Sequence, residues 1–158
     1  MYFPSTSPSL DEMSAMRVEK WLKEAVDRGA RLWAGGPRQG AFLPPALVEN
    51  APADCALSFE EAFGPVALLE AVESREAALD KIGASRYGLQ AGIFTNDMKL
   101  VHRAFDRLPV GGLIVNDVPT WRSDAMPYGG VKDSGLGREG VRWAIAEYTE
   151  PRALVMGS

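Results

Sequence analysis

Cysteine and histidine are nearly missing from this chain of 158 residues, which contains one of each. The single cysteine, Cys55, excludes a disulfide within the chain, and this composition suits a reducing compartment such as the cytoplasm. With one histidine, His102, no ligand spacing of the zinc-binding kind is present. The sequence therefore predicts a protein without internal disulfides and without a metal site.

Long apolar runs and clusters of positive charge are missing as well. No stretch approaches the roughly 20 apolar residues of a membrane-spanning helix, and the first eight residues lack the basic and apolar regions of a secretory signal. The formal net charge is −4, and no run of Lys or Arg indicates a nucleic-acid surface. With 46% hydrophobic and 24% charged residues, the composition is typical of a globular domain whose partners are neither membranes nor nucleic acids.

Helical and strand-like segments alternate along the chain. A capping box, Ser9 with Glu12, predicts the start of a first helix, and Gly29 predicts its end. Further helices are expected from Ser74 to about Ile82, from Asn96 or Asp97 to Pro109, and after residue 136. Strands are expected at 31–34, 66–72, 91–95, 110–116 and 152–156. This alternation predicts an α/β fold with a mainly parallel sheet and flanking helices.

Apolar periodicity predicts which residues face the core. The run from Val66 to Val72 is typical of a strand buried on both faces. Helical spacing assigns inward-facing side chains in the first helix and in the helix before Pro109. In the first helix they are Val18, Trp21, Leu22, Ala25 and Val26, and in the later one they are Met98, Val101, Phe105 and Leu108. The last helix carries Val141, Ala144, Ile145 and Tyr148.

The segment from 117 to 136 is long for a loop in a compact domain. Loops of more than about 15 residues without structure are uncommon and are usually functional. Three of its side chains, Trp121, Met126 and Tyr128, are too apolar to be left in water. We therefore expect it to contribute to a site, with a plain surface excursion as the alternative.

Arg122 lies within this loop and admits three interpretations. It can form a salt bridge with Asp124, it can be a solvated surface charge, or its guanidinium can bind an anionic group on a substrate. The residue pattern by itself leaves all three open.

The glycines from Gly135 to Gly140 match the pattern G-x-G-x-x-G of dinucleotide-binding loops. That kind of site needs a strand directly before the first glycine and a second strand after the helix. Polar loop residues precede Gly135, and the chain ends 18 residues after Gly140. We therefore expect these glycines to allow close packing of the loop before the last helix.

Glu60 and Glu61 are adjacent acidic residues, a pattern that raises the question of acid–base chemistry. Adjacent side chains in an extended segment point to opposite sides, so these two carboxylates cannot flank one bond. A solvated acidic pair is the alternative. The sequence Phe63-Gly64 favours Glu61, because it places an aromatic ring beside backbone that can approach a ligand closely.

Cys55 and His102 are weak candidates for catalysis. A nucleophilic thiolate needs a base, a helix N-terminus or a cation nearby, whereas Cys55 adjoins Asp54. His102 falls near the apolar stripe of its helix, so a partly buried structural position is expected.

Several segments, in order, resemble the C-terminal third of the aldehyde dehydrogenases. They are Val18–Trp21, Gly35-Gly36, Glu60–Val66, Tyr87–Thr95, Val115-Asn116, Pro127–Gly140 and Glu147–Glu150. The resemblance extends over nearly the whole chain. It implies part of a catalytic domain at 9–149 and an oligomerisation strand with a tail at 150–158, after a disordered or artificial leader at 1–8.

The resemblance also implies roles for four residues. In this family, the glutamate that matches Glu61 binds the hydroxyls of the nicotinamide ribose, and the phenylalanine that matches Phe63 packs beside the nicotinamide. NAD or NADP is therefore the expected cofactor. The loop with Trp121 and Arg122 corresponds to part of the substrate tunnel, and its sequence is similar to that of members acting on small aldehydes that bear phosphate, phosphonate or carboxylate. The last strand implies a homo-oligomer.

The family's nucleophilic cysteine, general-base glutamate and oxyanion-hole asparagine have no match in this sequence. No catalytic residue is therefore expected in this chain. The resemblance implies the C-terminal fragment of an NAD(P)+-dependent enzyme that oxidises an aldehyde to a carboxylic acid, and the fragment is expected to be inactive alone. The alternative is a non-catalytic assembly module that joins partner chains through its sheet edge.

Overall fold

The computed structural model describes residues 11–157, which form helices and short strands in alternation. The helices are α1 (Glu12–Asp27), α2 (Ala56–Phe59), α3 (Arg75–Gly83), α4 (Met98–Arg107) and α5 (Val141–Tyr148). The strands are β1 (Arg31–Ala34), β2 (Ala46–Glu49), β3 (Val66–Leu69), β4 (Tyr87–Gly88), β5 (Gln90–Ile93), β6 (Gly112–Val115) and β7 (Val131–Lys132). The chain divides into two compact units, one up to Glu73 and one from Ser74 onward.

The first unit packs α1 and α2 with a three-stranded sheet in the order β1-β2-β3. Strands β1 and β2 are antiparallel, and β2 and β3 are parallel. The buried core contains Ala25, Ala30, Val48, Cys55 and Leu57, with Trp21, Leu22 and Val66 packed against it. The apolar stripe that the periodicity assigns to α1 is therefore largely buried, except that Val26 is 40% exposed.

Helix α1 begins at a different cap from the expected one. Asp11 is the N-cap, and its carboxylate accepts the backbone N–H of Ser14 at 2.6 Å. This hydrogen bond lowers the pKa of Asp11, because it stabilises the charged form. The predicted cap Ser9 and the predicted leader at 1–8 lie outside the described residues. Gly29 follows the helix with a φ of +102°, as expected for the residue after a helix end.

The second unit contains two pairs of strands and three helices. Strands β5 and β6 are parallel, and β4 and β7 are antiparallel. Its core is formed by Leu79, Ala91, Ala104 and Leu108, with Ile93, Leu100, Val110 and Leu113 against them. Ser74 and Asp97 cap α3 and α4 through side-chain hydrogen bonds to backbone N–H groups, which confirms both predicted helix starts.

The α/β class is confirmed, but the strand pairing is mixed, since two of the four named pairings are parallel and two are antiparallel. The prediction for the run Val66 to Val72 is wrong in its burial. Strand β3 ends at Leu69 and forms the edge of its sheet, so that Leu68 and Leu69 are 44% and 47% exposed. Strand β2, which lies among prolines and pairs in parallel with β3, is absent from the strands that the sequence predicts.

Two further predictions of burial are wrong. Met98 and Phe105 on α4 are 60% and 68% exposed, because the core contacts of α4 are made by Leu100, Ala104 and Leu108. Helix α5 has no buried residue.

The expected strand at 152–156 is not assigned in the described chain, since a strand needs a hydrogen-bonded neighbour and this segment has none there.

None of the helices in the described part of the chain is both long enough and apolar enough to span a membrane.

Candidate functional site

The first candidate segment, Glu61 to Gly64, is held against helix α1. The guanidinium of Arg17 donates from Nη2 to the carbonyl oxygen of Ala62 at 3.2 Å. The central carbon of this guanidinium lies 5.0 Å from the centre of the Trp21 ring. Gly64 lies so close to Val18 that an added Cβ would come within 3.1 Å of its Cγ2. One contact on each side of Phe63 therefore ties this segment to a helix.

Glu61 is exposed, and its carboxylate makes no hydrogen bond or ion pair with any of the residues from 11 to 157. Phe63 is 61% exposed and has a φ of +45°. Residues other than glycine rarely adopt this left-handed region of φ, and backbone strain of this kind is concentrated at functional positions. The segment thus exposes a carboxylate that can accept hydroxyl hydrogen bonds and, two residues later, an aromatic ring that can pack on a planar group.

Cys55 is fully buried, and its Sγ lies 3.5 Å from Oγ of Ser58. This position confirms a structural cysteine and leaves the thiol inaccessible to a substrate. His102 is exposed on α4, so the expectation of a partly buried position is wrong: the buried stripe of α4 runs through Ala104 and Leu108 instead. The described residues contain no group of acidic, histidine and cysteine side chains that could hold a metal ion.

The second candidate segment is the loop that follows β6. Trp121 is 47% exposed, while Met126 and Tyr128 are half-buried. The carbonyl oxygen of Trp121 accepts the Nε2 amide of Gln90, on β5, at 3.2 Å. The loop is therefore anchored to the parallel pair of strands rather than free in solvent.

Arg122 is paired, but not with Asp124. Its Nη2 donates to Oε2 of Glu139 at 2.9 Å, and its guanidinium carbon lies 4.3 Å from the centre of the Tyr128 ring. Of the three interpretations that the sequence leaves open, the salt bridge to Asp124 is wrong. Arg122 is held in place by a carboxylate and an aromatic ring from further along the chain.

The backbone brings these two partners of Arg122 together. Tyr128 and Glu139 form an isolated antiparallel bridge, in which each backbone N–H donates to the carbonyl oxygen of the other, at 3.2 and 2.5 Å. Residues opposite each other in such a bridge carry neighbouring side chains. The ring and the carboxylate therefore lie side by side beneath one guanidinium.

The glycine pattern serves close packing, as expected. All three glycines, Gly135, Gly137 and Gly140, have positive φ values. A Cβ on Gly137 would lie 2.6 Å from the carboxylate of Glu147, whose Oε1 accepts the backbone N–H of Arg138 at 2.7 Å. The preceding strand β7 has only two residues and pairs antiparallel with β4, so the geometry of a dinucleotide-binding loop is not formed. A cleft of about 270 Å³ lies beside this loop, with Tyr128 and Glu139 in its wall.

The four predicted site residues fall into two groups. Glu61 and Phe63 belong to the first unit, and Trp121 and Arg122 belong to the second. Sequence reasoning missed Arg17 and Glu139, which hold the two segments. Glu139 lies 17 residues from Arg122, and no local spacing links the two.

Replacing Arg17 with alanine is expected to loosen the segment from Glu61 to Gly64 while leaving α1 folded. The substitution removes the hydrogen bond to Ala62 and the ring contact, both on the solvent side of the helix. Amide hydrogen exchange at residues 61–64 should accelerate by about 5-fold to 10-fold, which corresponds to the loss of about 1 kcal/mol from one solvent-exposed hydrogen bond. Lys20→Ala, an exposed cation on the same helix, is the control. Equal exchange in both variants would show that Arg17 does not hold the segment.

The sequence matches the model of the "Aldehyde dehydrogenase family" over residues 4–154. It is 45% identical over 149 residues to the 3-sulfolactaldehyde dehydrogenase of Priestia aryabhattai, a match that covers 94% of this chain and 31% of that protein. The chain thus spans about a third of the length of this relative.

Two solved structures are similar as well. Aldehyde dehydrogenase 21 from Physcomitrella patens, in complex with the reaction product succinate, matches with a TM-score of 0.91 at 44% identity, covering 94% of this chain and 31% of that one. Glyceraldehyde-3-phosphate dehydrogenase GapN from Methanocaldococcus jannaschii, complexed with NADP, matches with a TM-score of 0.82 at 38% identity, covering 89% of this chain and 30% of that one. These relatives lend no support to the alternative of a non-catalytic assembly module.

Proposed function

This chain belongs to the aldehyde dehydrogenase family, and on that premise we propose that it is the C-terminal portion of an enzyme that oxidises a small anionic aldehyde to a carboxylic acid with NAD or NADP. The observation that carries the proposal is the exposed carboxylate of Glu61, which has no partner among residues 11–157, two residues before the exposed Phe63 with its backbone φ of +45°. Both lie on a segment that contacts from α1 hold in place.

Glu61 and Phe63 fit the nicotinamide end of the cofactor. A carboxylate with no partner in the described chain can accept two hydroxyl hydrogen bonds from a ribose, and an exposed ring can pack beside the nicotinamide. The cofactor supplies the acceptor for the hydride of the aldehyde. The contribution of Glu61 and Phe63 is to orient the nicotinamide ring, because hydride transfer depends steeply on distance and angle.

Arg122 and Trp121 are proposed to line the substrate site. The guanidinium of Arg122 carries the positive charge that an acidic group on a substrate requires, and it is half exposed. Support comes from the relatives, which are named for a sulfonate-bearing aldehyde and a phosphate-bearing one, and of which one structure holds the dicarboxylate succinate.

The nucleophile and the general base are proposed to lie in the remaining part of the enzyme. Cys55, the single cysteine here, is buried and cannot reach an aldehyde. This chain would then bind and orient the cofactor and the substrate, without any catalytic residue of its own.

The C-terminal segment is proposed to join a neighbouring subunit in a homo-oligomer. Leu154, Val155 and Met156 are 87%, 88% and 85% exposed, and no strand of the described chain pairs with them. An extended apolar segment of this kind gains its hydrogen bonds and burial by adding to another sheet. The free thiol of Cys55 suits the cytoplasm as the compartment of this enzyme.

In the intact enzyme, Glu61→Gln is expected to slow hydride transfer by about 10-fold or more while weakening cofactor binding less, because the loss is one of orientation. Single-turnover formation of the reduced cofactor measures the first quantity, and a fluorescence titration with NADH or NADPH measures the second. Glu60→Gln removes an equal charge one residue away and serves as the control. An unchanged single-turnover rate in Glu61→Gln would contradict the proposed role.

A further inference from the structure

Arg122, Tyr128 and Glu139 form a cluster in which the charges cancel. The guanidinium lies over the Tyr128 ring at 4.3 Å and donates to the Glu139 carboxylate at 2.9 Å. We call these three residues the Arg122 cluster. Because it combines one cation with one anion, it presents a fixed donor without a net positive charge.

Part of the guanidinium remains available for a ligand. Among residues 11–157, the hydrogen bonds of Arg122's side chain are limited to the one from Nη2 to Glu139. Ring stacking occupies a face of the planar group and leaves the other N–H groups along its edge. Arg122 and Glu139 are 49% and 65% exposed at their side chains, so an anion can approach from solvent.

We propose that Glu139 is a specificity-determining residue, which cancels the advantage that Arg122 alone would give to a doubly charged phosphate over a singly charged acid group, sulfonate or carboxylate. The inference rests on the proposed function, in which Arg122 receives the anionic group of the substrate. Glu139 has two effects: it orients the guanidinium, and it repels each additional negative charge that binds beside it.

The repulsion grows with the charge of the ligand. Arg122 attracts a monoanion and a dianion alike, and Glu139 repels both. The second charge of the dianion doubles the attraction and also doubles the repulsion. These two contributions nearly cancel, so the dianion has little advantage over the monoanion while the carboxylate of Glu139 is charged. Removing the charge of Glu139 leaves the attraction unopposed and benefits the dianion more. At these exposures solvent screening keeps the expected change modest, about 3-fold to 10-fold in the affinity ratio.

The test uses the full 158-residue chain and two probes, methanesulfonate as the monoanion and methyl phosphate as the dianion. At pH 8 the phosphate carries nearly two charges, because its second pKa is about 6. Affinities are measured at low ionic strength from the NMR shifts of the Arg122 Nε–H and of the backbone amides around Trp121. Glu139→Gln is expected to raise the affinity for methyl phosphate relative to methanesulfonate by about 3-fold to 10-fold.

Three further variants separate charge from position. Glu139→Asp keeps the charge and shortens the side chain, so its affinity ratio should stay close to that of the unmodified chain. Asp124→Asn removes a negative charge from the same loop at a residue that has no ion pair within the described chain, and its ratio should also stay unchanged. Arg122→Ala should abolish the binding of both probes.

The outcomes divide clearly. A raised ratio in Glu139→Gln alone supports the proposal. An unchanged ratio in Glu139→Gln, or an equal loss for both probes, overturns it and leaves the role of Arg122 intact. Binding that survives in Arg122→Ala would overturn both this inference and the substrate role proposed for Arg122.

Discussion

The purified chain, mixed with NAD or NADP and a short aldehyde, is expected to form no reduced cofactor above the uncatalysed rate. Oxidation in this family begins with a thiolate that adds to the aldehyde, and the one cysteine of the chain is 0% exposed in the core of the first unit. Within the described chain, the polar side-chain contact of the Cys55 thiol is the hydroxyl of Ser58, which is not a base that could activate it. Loss of a nucleophile and its base lowers a rate by about 10⁴-fold to 10⁶-fold.

Reduced cofactor is followed by its absorbance over hours at high protein concentration, with an active aldehyde dehydrogenase as the positive control. Cys55→Ala is the matched variant, and its background should equal that of the unmodified chain. Cofactor reduction that requires the aldehyde and disappears in Cys55→Ala would show that the chain has a nucleophile of its own, and the proposal of a fragment without catalytic residues would then fail.

Gly111→Ala is expected to disrupt the second unit. A Cβ at this position would lie 1.6 Å from the carbonyl oxygen of Gly129 and 2.9 Å from that of Leu89. Neither neighbour is the flexible end of a side chain, so the backbone of the loop after β6 must move away from the start of that strand. Overpacking against backbone is expected to cost about 3 kcal/mol or more of the free energy of unfolding. Urea unfolding, followed by the NMR signals of amides on β5 and β6, measures this loss.

Gly83→Ala is the control in the same unit. A Cβ added at Gly83 would lie 3.8 Å from Cδ of Pro109, which is an ordinary contact distance. Gly83 is the last residue of α3. The free energy of unfolding should change by no more than about 1 kcal/mol, with stabilisation as the expected sign because alanine favours a helix. If Gly111→Ala unfolds at the same urea concentration as Gly83→Ala, the close approach of Gly111 and Gly129 is not present in solution.

Sequence reasoning succeeded where the cause is local. Ser74 and Asp97 are helix caps because a short side-chain oxygen can accept backbone N–H groups a few residues further on. The neighbourhood of Cys55 lacks any group to activate a thiol, which indicates a structural cysteine, and the burial of its side chain agrees with that expectation. The family resemblance, read from ordered motifs, is confirmed by the match over residues 4–154.

Local rules failed where a residue's surroundings come from a distant part of the chain. Periodicity on α4 fits more than one stripe, and the contacts with the second core select Ala104 and Leu108 over Met98 and Phe105. Likewise, the apolar run that begins at Val66 is compatible with a buried strand, but its place at the edge of the sheet leaves it exposed.

The sequence by itself determined the α/β class, the caps of α3 and α4 and the family, because each of these depends on residue types and short spacings. The tertiary structure alone decided how the two candidate segments are held. Arg17 reaches Ala62 across 45 residues, and Arg122 meets Glu139 across 17. Such pairings depend on backbone contacts, such as the bridge between Tyr128 and Glu139, that form only when separate segments fold together. The pairing of Arg122 with Glu139 is for this reason a property of the fold.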